Sequence, residues 1–272
     1  MPSNEPRDND GRLAEYRAQG YTIFEGAYDE PLMQSWREEH QHPRGEGPFI
    51  ERASDLFWPA IANPLILDFA ERVVGPFVQL DNFTFAASPP VEPEEGEGCF
   101  WHRDRWAHMP NGVYEPPLAM NAISYLQDLT NESGPLRVIP GSHVKSVRID
   151  LDQGNKPHKD EVILHLNAGD VVLTHNCLLH SGTQNTSGKL RFFFSIYYNI
   201  TWLQHTDSFE GPTCHRLIEE ARQRNNRRAL RLLGVDEQRP ERSNSLFRLP
   251  DEVRWQEWLE EDRKALKEGA ES

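Results

Sequence analysis

The stretch F-W-H-R-D-R-W at 100–106 sets an imidazole and a carboxylate two residues apart. Side chains at i and i+2 of an extended segment share a face. His102 and Asp104 therefore project together, with Phe100 and Trp106 on the same side. An imidazole and a carboxylate on an apolar strand face are costly unless a partner satisfies them. A divalent metal is one such partner, because two histidines and one carboxylate with open coordination positions form the donor set of non-haem Fe(II) oxygenases. A hydrogen-bonded surface pair is the alternative, since H-x-D alone is a common tripeptide. A third donor must come from elsewhere, and D-V-V-L-T-H-N-C-L-L-H at 170–180 offers two, His175 and His180. Arg191 then opens the aromatic run R-F-F-F-S-I-Y-Y. A guanidinium leading a buried strand calls for an anion, and its planar fork fits a carboxylate through two parallel hydrogen bonds. A metal at one end and this arginine at the other would grip a short dicarboxylic acid.

The surrounding elements must bring these residues together. Short runs rich in β-branched and aromatic residues lie at 78–87, 100–108, 120–126, 136–139, 161–166, 171–175 and 191–200, separated by Gly, Pro, Asn and Ser clusters. Such spacing predicts a sandwich or barrel rather than alternating strands and helices. Before this core, helices are expected from Leu13 to Gln19, from after Asp29 to about His40, and from Leu65 to Val74, with Tyr21 to Phe24 as a strand. After it, Cys214 to Leu233 reads as one helix and Pro250-Asp251 opens another. The fold class is mainly β with flanking helices. One domain is expected over 1–272, with its β-core at about 76–205; a separate helical domain from about residue 208 is the alternative. Gly134-Pro135 and Pro140-Gly141 read as turns, and His143 as a hydrogen-bonding turn residue.

Composition narrows the class of partner. Hydrophobic residues make up 37% and charged residues 26% of 272 positions, the balance of a soluble globular chain. The net charge of −14 argues against a nucleic-acid backbone, and no apolar run reaches the roughly 18 residues of a membrane span. Cys99, Cys177 and Cys214 form no C-x-x-C pair and are odd in number, which favours a reducing, cytoplasmic setting over a disulfide framework.

Three blocks in order, W-H-R-D at 101–104, D-L-T-N-E-S-G-P-L-R-V-I-P-G-S-H at 128–143 and G-D-V-V-L-T-H-N-C-L-L-H-S-G-T-Q-N-T-S-G-K-L-R at 169–191, resemble the phytanoyl-CoA dioxygenase-like family of Fe(II)/2-oxoglutarate oxygenases. The resemblance implies a double-stranded β-helix (jelly-roll, cupin-like) core. It makes His102, Asp104 and His180 the catalytic iron ligands and Arg191 the partner of the distal carboxylate of 2-oxoglutarate. Relatives usually carry a serine two residues after the distal histidine. Here Gly182 stands there, which leaves Ser181 and Thr183 as substitutes or the contact missing. Asn121 shares a strand face with Ile123 and Tyr125 and is a cofactor-binding candidate; Trp106 is a substrate-pocket candidate. The implied chemistry consumes 2-oxoglutarate and O2, with ascorbate as a candidate reductant, and releases succinate and CO2 while hydroxylating a C–H bond of a small molecule. Desaturation, epoxidation or ring formation use the same ligands. A catalytically silent jelly-roll that binds a ligand or partner is the reading from another class. A monomer or homodimer is expected.

Overall fold

The computed structural model describes residues 8–39, 55–92, 98–104, 117–145, 147–207, 209–242 and 248–271. In chain order the elements are α1 (Asn9–Gln19), β1 (Tyr21–Phe24), α2 (Glu30–Glu39), α3 (Trp58–Ile61), α4 (Pro64–Val74), β2 (Val78–Ser88), β3 (Ala119–Tyr125), β4 (Leu136–Val138), β5 (Val162–Leu164), β6 (Val171–His175), β7 (His180–Ser181), β8 (Arg191–Ile200), α5 (Pro212–Gln223), α6 (Arg227–Leu232), α7 (Arg239–Arg242) and α8 (Asp251–Glu271). A five-stranded sheet has the order β1-β6-β3-β8-β2, and a three-stranded sheet the order β5-β4-β7. The β1–β6, β3–β6, β4–β5 and β4–β7 pairs are antiparallel, as the sandwich expectation requires.

Contacts divide the chain into two units, residues 1–41 with 85–195, and residues 42–84 with 196–272. In the first, strand alternation separates two environments. Asn121 pairs with Thr174 and Ile123 with Val172 across β3 and β6, and Tyr21 and Ile23 continue that face on β1. Ile123, Tyr125 and Val172 pack with Leu136, Val138 and Leu164 of the smaller sheet, so this face looks into the space between sheets. The opposite face carries Phe24 and Phe194. Helix α2 covers it by placing Trp36 edge-on to Phe194, with ring centroids 5.0 Å apart. Asp29 starts that helix by accepting from the Leu32 N–H at 3.0 Å, which satisfies an otherwise orphaned first-turn donor.

The second unit is helical around the start of β2 and the end of β8. Asn63 caps α4 through the Leu65 N–H at 3.0 Å, with Pro64 in the first turn where its missing N–H is harmless. Charged groups hold this unit internally: Asp262 accepts from Arg231 at 2.7 Å and from Arg242 at 2.8 Å, and all three are buried.

Two sequence expectations change. Residues 214–233 form two helices rather than one, because Asn225 takes a left-handed φ of 50° between α5 and α6. In the expected strand at 100–108, residues 98–104 contain only an isolated bridge from His102 to His180, while 105–108 lie outside the described residues. No helix among the described residues is long and apolar enough to cross a membrane.

Candidate active site

His180 begins β7, a two-residue strand pinned to β4 by the pairing of Val138 with His180 and Arg137 with Ser181. On its other side His180 exchanges both backbone hydrogen bonds with His102, each at 3.0 Å. This antiparallel bridge places the two imidazoles side by side, their planes tilted by 55° and their centroids 4.3 Å apart. Asp104, two residues on, turns its Oδ1 towards both rings, 3.5 Å from Nε2 of His180 and 3.8 Å from Nε2 of His102. Among the described residues this is the one cluster of three donors able to hold a metal ion, with ligand atoms all within 4.8 Å of one another.

Proton placement favours ligation. Nδ1 of His102 lies 2.8 Å from the Phe100 carbonyl, and Nδ1 of His180 lies 3.0 Å from the Leu178 carbonyl. A carbonyl only accepts, so each Nδ1 carries a hydrogen, and in the neutral ring this tautomer leaves the lone pair on Nε2, the nitrogen nearer Asp104. Burial holds the His180 pKa below its usual value, against the opposing pull of Asp104 and with the help of His102. The ring is therefore neutral at physiological pH, as a metal ligand must be. Cis donors at bond lengths of roughly 2.1 Å stand on the order of 3 Å apart, so the observed separations need only a small contraction around an ion.

His175 shows the opposite arrangement. It pairs with Met120 on the helix-covered face, its ring 5.0 Å from that of His143. Its Nδ1 accepts the Cys177 N–H at 3.0 Å, which puts the ring hydrogen on Nε2. His143 in turn contacts the Arg17 carbonyl at 3.0 Å through Nε2.

The anion-receiving side is built around Arg191 on β8. Its Nη1 donates to the carbonyls of Ser133 at 3.1 Å, Gly134 at 2.5 Å and Thr183 at 2.7 Å. Its Nε is buried without a hydrogen-bond partner. One corner of the fork is thus clamped by backbone while the edge bearing Nε is left to receive an acceptor. The guanidinium carbon sits 5.9 Å from the Tyr125 ring centroid. Burial pushes the Tyr125 phenol up, with Arg191 pulling the other way. The turn at Gly134 is shaped for this clamp: at φ 78°, a Cβ there would fall 2.4 Å from Arg191 Nη1 and from the carbonyl oxygens of Thr183 and Gln184.

Neither hydroxyl beside Gly182 is available as a replacement for the usual serine. Ser181 Oγ accepts from the Phe100 N–H at 2.6 Å and donates to the Gly182 carbonyl at 2.7 Å. Thr183 Oγ1 accepts from Arg137 Nε at 2.9 Å and donates to the Pro135 carbonyl at 2.8 Å. Asn121 lies against the cluster: its Nδ2 donates to Asp104 Oδ2 at 3.3 Å, and its Oδ1 accepts from Ser195 Oγ at 2.7 Å. Ser195 is not among the sequence candidates, and Tyr125 enters there only as a neighbour of Asn121 on one strand face, although parity holds the signal for both. Ser195 is four residues past Arg191 on one strand face, and Tyr125 four past Asn121. Trp106 lies outside the described residues.

Paired antiparallel sheets carrying two histidines and one carboxylate at one site, with an anion-seeking arginine, define the class of non-haem Fe(II)/2-oxoglutarate-dependent oxygenases. The chain belongs to the phytanoyl-CoA dioxygenase family, whose sequence profile matches residues 9–193. It is 26% identical over 164 residues to an L-proline trans-4-hydroxylase of Streptomyces griseoviridis, covering 50% of this chain and 60% of that protein. It is also 26% identical over 167 residues to a dioxygenase of Aspergillus fumigatus, covering 61% of this chain and 52% of that one. The chain thus spans only about half to three-fifths of these relatives. Among solved structures it is similar to the α-ketoglutarate-dependent epimerase SnoN of nogalamycin biosynthesis (TM-score 0.55, 22% identity, 71% of this chain and 83% of that chain). It also resembles HygX of Streptomyces hygroscopicus with nickel and 2-oxoglutarate bound (TM-score 0.59, 17% identity, 71% and 87%). At these identities the likeness establishes the fold.

Proposed function

We propose that this protein is an Fe(II)- and 2-oxoglutarate-dependent dioxygenase that hydroxylates a C–H bond of a small-molecule metabolite. The observation that carries the reading is the pair of lone-pair-bearing Nε2 atoms gathered with Oδ1 of Asp104, together with the partnerless Nε of Arg191. His102, Asp104 and His180 would hold the iron. Arg191 would receive the distal carboxylate of 2-oxoglutarate, lying along the face of β3 that carries Asn121, Ile123 and Tyr125. Bound iron and 2-oxoglutarate supply the oxidising chemistry, with succinate and CO2 as co-products.

The chain's own residues do the rest. The Phe100 and Leu178 carbonyls hold both ligand imidazoles in the donor tautomer. The clamp on Nη1 fixes the guanidinium plane before the cosubstrate arrives, so little side-chain freedom is lost on binding. Tyr125 and Ile123 exclude water from that path, which strengthens the arginine–carboxylate pair.

The substrate class is open to direct trial. A relative named for hydroxylating L-proline puts free amino acids first in a panel, and structures of similar fold with nogalamycin RO or hygromycin B bound put those two compounds second. The test combines two measurements. Anaerobic addition of Fe(II) and 2-oxoglutarate should give a weak visible absorption band, and admission of O2 with a panel member should accelerate succinate release. A protein showing neither band nor succinate would refute the proposal.

A further inference from the structure

We infer that Asn121, aligned by Ser195, is a positioning residue that fixes which oxygen of Asp104 faces the two histidines. The inference rests on the proposed metal-binding role of those residues and adds a device that sets how the carboxylate ligates.

Asp104 needs such a device. Residues 98–104 lie outside every regular strand; the bridge at His102 is their one ladder contact, and hydrogen bonds from the Cys99, Phe100 and Trp101 N–H groups and from Arg103 hold the rest of the segment. Beyond that bridge nothing in a ladder fixes the carboxylate's rotation about its last torsion, which is broad and twofold for aspartate. Asn121 supplies the restraint from a rigid element. It lies on β3, paired with β6 through Thr174, whose hydroxyl also donates to the Asn121 carbonyl at 3.3 Å.

The polarity of the chain of contacts is determined throughout. A carboxylate only accepts, so Nδ2 of Asn121 must face Asp104 Oδ2, at 3.3 Å. Oδ1 of Asn121 then requires a donor, and the Ser195 hydroxyl provides it at 2.7 Å. The serine thus sets the amide's orientation, and the amide engages one carboxylate oxygen. Oδ1 of Asp104 is left as the oxygen nearest both Nε2 atoms. An aspartate whose second oxygen is hydrogen-bonded in this way would hold a metal through its first oxygen alone. All three side chains are nearly inaccessible: Asn121 is 3% exposed, Ser195 9%, and the Asp104 side chain 6%. Water is thus a poor substitute for a lost member.

The test measures metal binding rather than turnover. Co(II) is titrated into the full chain and into Asn121→Ala, Ser195→Ala and the double variant, with visible spectra recorded and thermal unfolding of the metal-free proteins as a check on folding. Partners that orient metal ligands typically carry 10- to 100-fold in affinity. We expect Asn121→Ala to weaken Co(II) binding about tenfold or more, with altered d–d bands as the carboxylate becomes free to bind through both oxygens. Ser195→Ala should weaken binding less, and should add nothing in the Asn121→Ala background, since the serine acts through the amide. Ser195→Thr, which keeps the donor, should restore wild-type affinity. Unchanged affinity and spectrum in Asn121→Ala would overturn the inference while leaving the oxygenase reading intact. Equal Ser195→Ala effects in both backgrounds would also overturn it. A wild-type chain that bound no metal would overturn both.

Discussion

Replacing Gly134 by alanine tests whether Arg191 is held as a preformed carboxylate receptor. The new Cβ would fall 2.4 Å from Arg191 Nη1 and from the carbonyl oxygens of Thr183 and Gln184. Carbon contacts are comfortable near 3.5–4.0 Å, so the guanidinium or the two backbone segments must retreat by about 1 Å. Two of the displaced groups are the donor and an acceptor of the clamp itself, the Nη1–Thr183 bond at 2.7 Å. Moving the fork by that distance removes one or both charge-assisted hydrogen bonds to a bound carboxylate, each worth about 1.5–3 kcal/mol. The expected result is a 10- to 100-fold rise in the apparent Kd for 2-oxoglutarate. The variant also places a side chain at φ 78°, which costs about 1–2 kcal/mol of stability by itself. Gly141→Ala separates the two effects, because Gly141 has a similar φ of 76° but its nearest neighbour to an added Cβ is 3.8 Å away. The assay is anaerobic titration of 2-oxoglutarate into the Fe(II)-loaded protein, followed by the visible band, beside thermal melts of both variants. Gly134→Ala binding 2-oxoglutarate as tightly as Gly141→Ala would refute the clamp.

Other expectations follow from neighbouring geometry. A Cβ at Gly182 meets nothing within 4 Å and faces no left-handed backbone, so Gly182→Ser should fold normally; if the new hydroxyl reaches the distal carboxylate, 2-oxoglutarate affinity rises about 3- to 10-fold by titration. His180→Ala should abolish Fe(II) retention in equilibrium dialysis. His175→Ala should retain it and lose about 1–3 kcal/mol of stability by chemical denaturation, because the buried Cys177 N–H loses its acceptor. Asp262→Asn should destabilise the fold by about 1–3 kcal/mol, since the buried Arg231 and Arg242 lose their shared carboxylate and keep those of Asp236 at 3.6 Å and Glu261 at 3.2 Å. Burial pushes the Asp262 carboxyl up, but hydrogen bonds and charge from Arg242 and Arg231 outweigh it and leave the pKa lowered. A lowered folded pKa gives stability that is complete above the unfolded value near 3.9 and lost as pH falls through the folded one. The acid limb of a stability–pH curve should therefore flatten in Asp262→Asn.

Much of the architecture was legible because it rests on local physics. Residues 171–175 and 191–200 form strands with the expected bounds, since β-branched and aromatic runs between turn residues have few other uses. Asp29 caps the helix expected to follow it, and Asn63 caps the helix expected from Leu65 to Val74. The misreadings occur where local pattern and tertiary demand diverge. Residues 214–233 have a continuous helical composition, but α6 carries Arg228 and Arg231 to Asp68, Glu71 and Asp262, far away in sequence, and a left-handed Asn225 turns the chain between the helices. The 100–108 stretch has the composition of a strand, yet among residues 98–104 it makes a single bridge, because its partner β7 is only two residues long.

The sequence by itself determined the donors and their spacing: an H-x-D pair that shares one side of an extended chain, a distal histidine, and an arginine eleven residues beyond it. Side-chain type and two-residue parity are local properties, and they survive into any fold that keeps those segments extended. Only the tertiary structure decided which histidine can give a lone pair. His180 donates Nδ1–H to a carbonyl and turns Nε2 to Asp104, whereas His175 accepts a backbone N–H and packs beneath the helices. The same holds for the hydroxyls at 181 and 183, which composition leaves as candidates and which long-range contacts to Phe100, Pro135 and Arg137 fully engage. Hydrogen-bond direction depends on the partner, and partners distant in sequence are brought together by the fold alone.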